Sequence, residues 1–338
     1  MRRTRRPHAS RRGPRVQAAL VLRTPDHGNR HRIPTPDAGG SPARRTGDCH
    51  LAGAAARRVV PGARRSRWHA LVRFHLPLLA RVLRERWRGL AGWVTGLVSL
   101  VAVQVAVYPT IRDSREGWSD LTEQFPEAIR KIIRMEDYTS PAGYLTTELF
   151  SFMFPLIFTG VACSWAARAG AEEEENGTAD ILLSLPVSRG SILFTRLVAV
   201  FVALAGVCVA GIASLAVGTR SVDMDVGTAG IAAATVSCAL LGTVFASASV
   251  VAAAWTGRRG VGLGTGLGLA VVLFVAYSLA PLVGFFDRIL ALNPYQWTIG
   301  QSPLADGIDP ALALVALLTI TVLCVVAQAG FSRRDIRA

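Results

Sequence analysis

The sequence predicts an all-α membrane protein with six transmembrane helices and both termini in the cytoplasm. Three observations carry that reading. Mean hydropathy is +0.37 and only 18% of residues are charged, whereas soluble domains keep about a quarter charged. From residue 90 onward the chain is divided into apolar runs of about the 20 residues that cross a bilayer as helix. Arginines near the ends of those runs fall on alternate loops, so they mark one side of the membrane.

The elements follow in order. Residues 1–67 are rich in Arg, Pro, Gly, Ala and His without a sustained apolar period. Such a segment buries too little apolar surface to offset its chain entropy, so disorder is expected. It holds 17 arginines and three aspartates, the entire net charge of +14. Residues 68–338 are electrically balanced, so the high pI argues for no nucleic-acid partner. A misassigned start upstream of the true one is the expected origin of this tail, and a basic arm on anionic lipid is the other reading. Ser10-Arg11-Arg12 precedes too short an apolar stretch to make a twin-arginine signal.

Residues 68–338 then form the membrane domain. Leu71–Arg88 mixes leucines with five arginines and reads either as an amphipathic helix along the membrane surface, bent at Pro77, or as a plain basic anchor. The expected spans are Leu90–Tyr108, ended by Pro109, then Leu145–Ala167, Leu197–Val217, Ala229–Trp255, Val261–Leu282 and Ala311–Phe331. Arg81, Arg84, Arg86 and Arg88 precede the first. Arg168, Arg189 and Arg196 lie around the second loop, Arg258 and Arg259 in the fourth, and Arg333, Arg334 and Arg337 after the last. Of the outer loops, Ser119–Asp137 fits an amphipathic helix, and Phe285–Leu304 carries Asn293-Pro-Tyr-Gln-Trp297 at the interface.

Several chemistries are excluded. The single lysine, Lys131, lies between Arg130 and Ile132, so the chain has no G-x-x-x-x-G-K-[ST] phosphate loop. Cys49, Cys163, Cys208, Cys238 and Cys324 make no C-x-x-C, and neither a disulfide framework nor a metal site is expected. Glu172–Glu175 lack the arginine that follows paired glutamates in prenyl-peptide proteases, and H-E-x-x-H is absent. No catalytic residue is expected. The run Gly260–Gly268 fails G-x-G-x-x-G in every register. Gly260, Gly264 and Gly268 fall on one helix face, which reads as close helix packing or as a hinge.

The most informative stretch is Ala171–Arg189, between the second and third spans. Gly177 breaks the preceding segment, Thr178 is an N-cap and Asp180 stands in the first turn, where the helix dipole favours an acid. Ile181, Leu182, Leu183 and Leu185 give an apolar surface and Pro186 stops the helix. That surface meets either a partner protein or the lipid headgroups. The glutamate run, then Gly-Thr, the leucines and Pro-x-Ser-Arg resemble the signature of type-2 ABC transporter permeases. Here those residues are Glu172, Glu173, Glu174, Glu175, Gly177, Thr178, Leu182, Leu183, Pro186, Ser188 and Arg189. The likeness covers roughly residues 71–338 and includes Pro141-x-Gly143-Tyr144-Leu145 and Asn293-Pro294.

The resemblance implies that residues 172–189, Asp180 among them, form a cytoplasmic coupling helix that docks an ABC ATPase subunit. It also implies a second permease copy or paralogue, and a re-entrant segment before the sixth span. ATP and Mg would be held by the partner, with no cofactor bound by this chain. The expected function is the permease half of an ATP-driven exporter in the cell's inner membrane, in contact with lipid. The alternative is a scaffold that docks a cytoplasmic partner and transports nothing. Gln104, Glu148 and Gln328 are the polar residues inside spans and the candidates for a substrate path. Glu148 is either solvated near the outer surface or turned toward that path, and Pro155 is expected to kink the second span.

Overall fold

The structure, a computed structural model, describes residues 63–114, 140–175 and 189–333, and side chains within residues 77–114, 140–171 and 190–333. These residues are helical throughout their ordered elements, with no strand among them. Six of the described helices are long and apolar enough to cross a membrane: Pro77–Asp113, Pro141–Ala171, Gly190–Ser221, Thr228–Thr256, Arg259–Leu279 and Pro310–Arg333. They are called the first to sixth spans below. Each overlaps the apolar run expected from sequence. The tail up to residue 62 and the helix expected over Ser119–Asp137 lie outside the described residues.

The first span differs from expectation. One helix runs unbroken from Ala63 to Asp113, with Pro77 and Pro109 inside it. The surface helix expected to stand apart is continuous with the span, and Pro109 does not end it. A proline interrupts one backbone hydrogen bond. In apolar surroundings leaving the helix would strand several more polar groups, so the helix continues. Near the start of the first span, Arg81 and Glu85 pair one turn apart at 2.8 Å.

The second span begins with a capped turn. The Ser140 hydroxyl accepts from the Gly143 amide at 2.9 Å, and Pro141 occupies the first helical position, where no N–H is needed. Thr146–Met153 then widens into a π-helix before the α-helix Phe154–Glu175. The Phe154 amide reaches back five residues to the Leu149 carbonyl, directly before Pro155. Proline at 155 has no N–H to offer the preceding turn, and a widened turn is one way a helix absorbs that loss.

The second and fourth spans form the enclosed centre. The first, fifth and sixth are mostly bare. Lipid tails are as apolar as leucine, so small residues that let backbones approach hold such helices together. A methyl added at Gly242 on the fourth span would stand 2.8 Å from the Phe158 carbonyl oxygen on the second. On the fifth span, one at Gly266 would stand 2.8 Å from Cys163 Sγ and one at Gly262 would stand 2.7 Å from Ala253 Cβ. The expected packing row Gly260, Gly264 and Gly268 has nothing within 4 Å at any of the three. The intrachain contact is made by the neighbouring row instead. Between the fourth and fifth spans Gly257, at φ 67, ends one helix and lets the next start at Arg259.

Candidate functional site

The coupling stretch is bracketed by described helices. The second span's helix continues through Glu175, so Glu172, Glu173, Glu174 and Glu175 extend it. The third helix begins at Arg189. Gly177, Thr178, Asp180, Leu182, Leu183 and Pro186 lie outside the described residues.

The two helices that carry this stretch end among arginines. Arg196, on the third span, is 5% exposed and donates to the Ala169 carbonyl of the second span at 3.1 Å. Arg86, on the first span, lies 5.5 Å from the ring centre of Trp165 on the second, a cation–π contact. Arg168 and Arg259 stand within electrostatic reach of Arg86 and of each other, and Arg86 is within reach of Arg196. Four helices thus bring a guanidinium to one end of the bundle, called the basic end here. These four arginines were expected to share one side, and they do. Their mutual closeness was not foreseen, because Arg196 reads from sequence as a loop residue just before the third apolar run.

Gln328 also lies at this end. A methyl on Gly190, at the start of the third span, would collide with its amide nitrogen. It therefore packs against the third span near the bracketed stretch and is not gathered with the other two candidates.

Gln104 and Glu148 do meet, toward the opposite end. The Gln104 side-chain amide donates to a Glu148 carboxylate oxygen at 3.3 Å. The hydroxyl of Tyr144, 1% exposed, lies 3.0 Å from the Gln104 backbone oxygen and 3.2 Å from its side-chain oxygen. Glu148 stands in the π-helical stretch. On the same stretch, Thr146, Phe150 and Ser151 line a small pocket with Ser302 and Leu304, and Ser302 is held left-handed at φ 49. This polar corner joins the first span to the second.

The segment before the sixth span folds back beside the fifth. Asn293 caps the short helix Pro294–Thr298 by accepting from the Tyr295 amide at 3.0 Å. Its own amide donates to the Leu273 carbonyl at 2.8 Å. The Tyr295 hydroxyl reaches the Ala270 carbonyl at 3.3 Å. Ala270 lies about 14 Å of helix rise before the fifth span's end at Leu279, so the segment folds back along that span. The Tyr295 side chain is buried, and its hydroxyl is satisfied inside the bundle. Its ring packs between Phe245, Phe274 and Tyr277 at 5.5–5.7 Å. The sequence marked Asn293-Pro294 only as part of the family likeness, not as a cap. It held no sign that Tyr295 is the buried anchor.

Among the described residues no group of His, Cys, Asp and Glu is arranged to hold a metal ion. Residues 76–336 match the family described as ABC-2 family transporter protein. No curated protein matches the chain.

Proposed function

From the premise that this chain belongs to the ABC-2 family of transporter proteins, we propose that it is the permease subunit of an ATP-driven exporter. That family consists of membrane components of ABC transporters. The family match over most of the chain is the observation that carries the reading. In this reading a separate ABC ATPase binds ATP and Mg, and docks on the coupling helix within residues 172–189. A second copy or a related permease completes the pathway.

The basic end faces the cytoplasm, because arginine-rich loops are retained there, and the membrane is the cell's inner membrane. ATP binding draws the ATPases together, and the coupling helices carry that movement to the second and third spans. Rigid-body rocking of the spans then exchanges access between the two sides. Gln104 and Glu148 line the outer part of the substrate path. Gln328, packed on Gly190, acts at the cytoplasmic end.

Affinity purification of the full chain from native membranes in mild detergent tests the proposal. A stoichiometric P-loop ATPase is expected to accompany it, and Leu182→Asp with Leu183→Asp should release that ATPase while the spans stay folded. A preparation that carries no ATPase even after crosslinking would move the protein to the scaffold class.

A further inference from the structure

We infer that the pocket beside the widened turn of the second span binds one ordered water, which serves a backbone carbonyl that the helix leaves without a donor. The site is a property of this chain and stands independently of the transporter reading. Only its use in access exchange rests on that reading.

In an α-helix the Phe150 carbonyl would take the amide of Phe154, and in a π-helix that of residue 155. The Phe154 amide goes to Leu149 instead, and residue 155 is proline, which has no N–H. The Ser151 carbonyl loses its α-helical donor to the same proline. Phe150 is 4% exposed and stands inside a span, where bulk water does not serve an unpaired carbonyl. Among the described residues no turn, loop or cap amide is directed to it.

Phe150 and Ser151 both line the pocket. Thr146 joins them from the preceding turn, Ala234 from the fourth span, and Ser302 and Leu304 from the segment before the sixth. The walls meet closely there, since a methyl on Gly230, one turn before Ala234, would collide with the Leu304 carbonyl. The room left is that of about one water molecule.

A buried water makes about three hydrogen bonds, and the lining supplies them. Ser302 precedes the short helix Pro303–Asp306, but at φ 49 its hydroxyl makes no cap bond, so it is left to the pocket. The Ser151 hydroxyl donates to the Thr146 carbonyl at 2.7 Å and keeps its lone pairs for a donor. The Thr146 hydroxyl is the third. A water can donate to the Phe150 carbonyl and bond to two of these hydroxyls. No carboxylate lines the pocket, so a water fits it better than a hard cation, which takes oxygen ligands that include charged ones.

The turn is then held by an exchangeable water where a main-chain bond would otherwise stand. In the transporter reading this is the point at which the outer end of the second span tilts, carrying Glu148, which stands in the same π-helical stretch.

Hydroxyl-radical footprinting of the full chain in mild detergent tests the site, because an ordered water supplies the radical where bulk solvent does not reach. Phe158 and Phe245 are 0% exposed and Phe150 is nearly as enclosed. Phe150 should nevertheless be oxidised several-fold faster than either, and Thr146→Val with Ser302→Ala should bring it down to their rate. Equal rates in the parent chain would overturn the inference. The same paired change should lower the melting temperature by on the order of 3–6 °C. In a Pro155→Ala background the loss should be less than half as large, because the new amide serves the carbonyl. An equal loss in both backgrounds would overturn the site as well. If the paired variant does not accumulate, its accumulation together with Pro155→Ala is the same rescue, and failure in both counts against the water. ATPase content in the same samples keeps the two readings apart. Fast labelling of Phe150 in a chain that never carries an ATPase upholds the water site and defeats the transporter reading. Slow labelling in a chain that does carry one has the opposite meaning.

Discussion

Two rows of glycine run along the fifth span, and their surroundings are opposite. Gly262 and Gly266 are pressed against Ala253, Ser249 and Cys163, while Gly260, Gly264 and Gly268 meet nothing within 4 Å. Both rows have the four-residue spacing that lets membrane helices approach closely. Only one is used within the chain. In a soluble protein the outward row would betray itself by polar neighbours. Here Val261, Leu269, Val271 and Val272 point outward and are as apolar as the interior, so pattern cannot distinguish the rows.

The sharpest way to break this comparison is Gly266→Leu. Its new side chain has Cys163 Sγ at 2.8 Å, Ser249 Cβ at 2.9 Å and the Phe245 carbonyl at 3.1 Å from its first carbon alone. Overpacking of this kind costs about 3 kcal/mol, and a large loss of monodisperse protein and of melting temperature is expected. A variant that melts like the parent would show that the second, fourth and fifth spans are not locked through this row.

Asn293→Ala comes next. It removes the cap on Tyr295 and the bond to the Leu273 carbonyl together, for about 2 kcal/mol. The same fifth span would then lose one tie to the segment that folds back on it, keeping the Tyr295 contacts and its glycine contact. Thermal unfolding of Asn293→Ala beside Gly266→Leu therefore ranks the two supports. Tyr144→Phe is smaller, on the order of 0.6 kcal/mol, because it deletes a single shared hydrogen bond between the first and second spans.

Some of this was legible in the sequence. Run length and loop arginines located all six spans, since a bilayer imposes a length and a charge rule on any helix that crosses it. The caps at Ser140 and Asn293 stand out only in the structure, although capping is local. Pro77 and Pro109 misled for a matching reason: a proline's cost is local, but whether the helix bears it depends on what surrounds it. The arginine cluster was hidden because Arg86, Arg168, Arg196 and Arg259 lie far apart in sequence and meet only when the helices pack. Gln104 and Glu148 were picked as isolated polar residues, and only the packing reveals them as one pair.

The smallest effect on the fold sharpens the comparison most. Gly264→Leu adds a side chain where nothing lies within 4 Å, and leucine is a better helix former than glycine by about 0.8 kcal/mol. The monomer should melt at or slightly above the parent temperature. A marked loss would mean that the bare row is packed within the chain after all. With the fold intact, the particle mass in mild detergent reads what covers that row. A fall from two chains to one would place a second copy there, because close backbone approach is what the added side chain forbids. An unchanged mass would leave the row to lipid, which accommodates a leucine as readily as a glycine, and a second permease of the kind proposed would then have to meet this chain along the first or sixth span, the other two helices left largely bare.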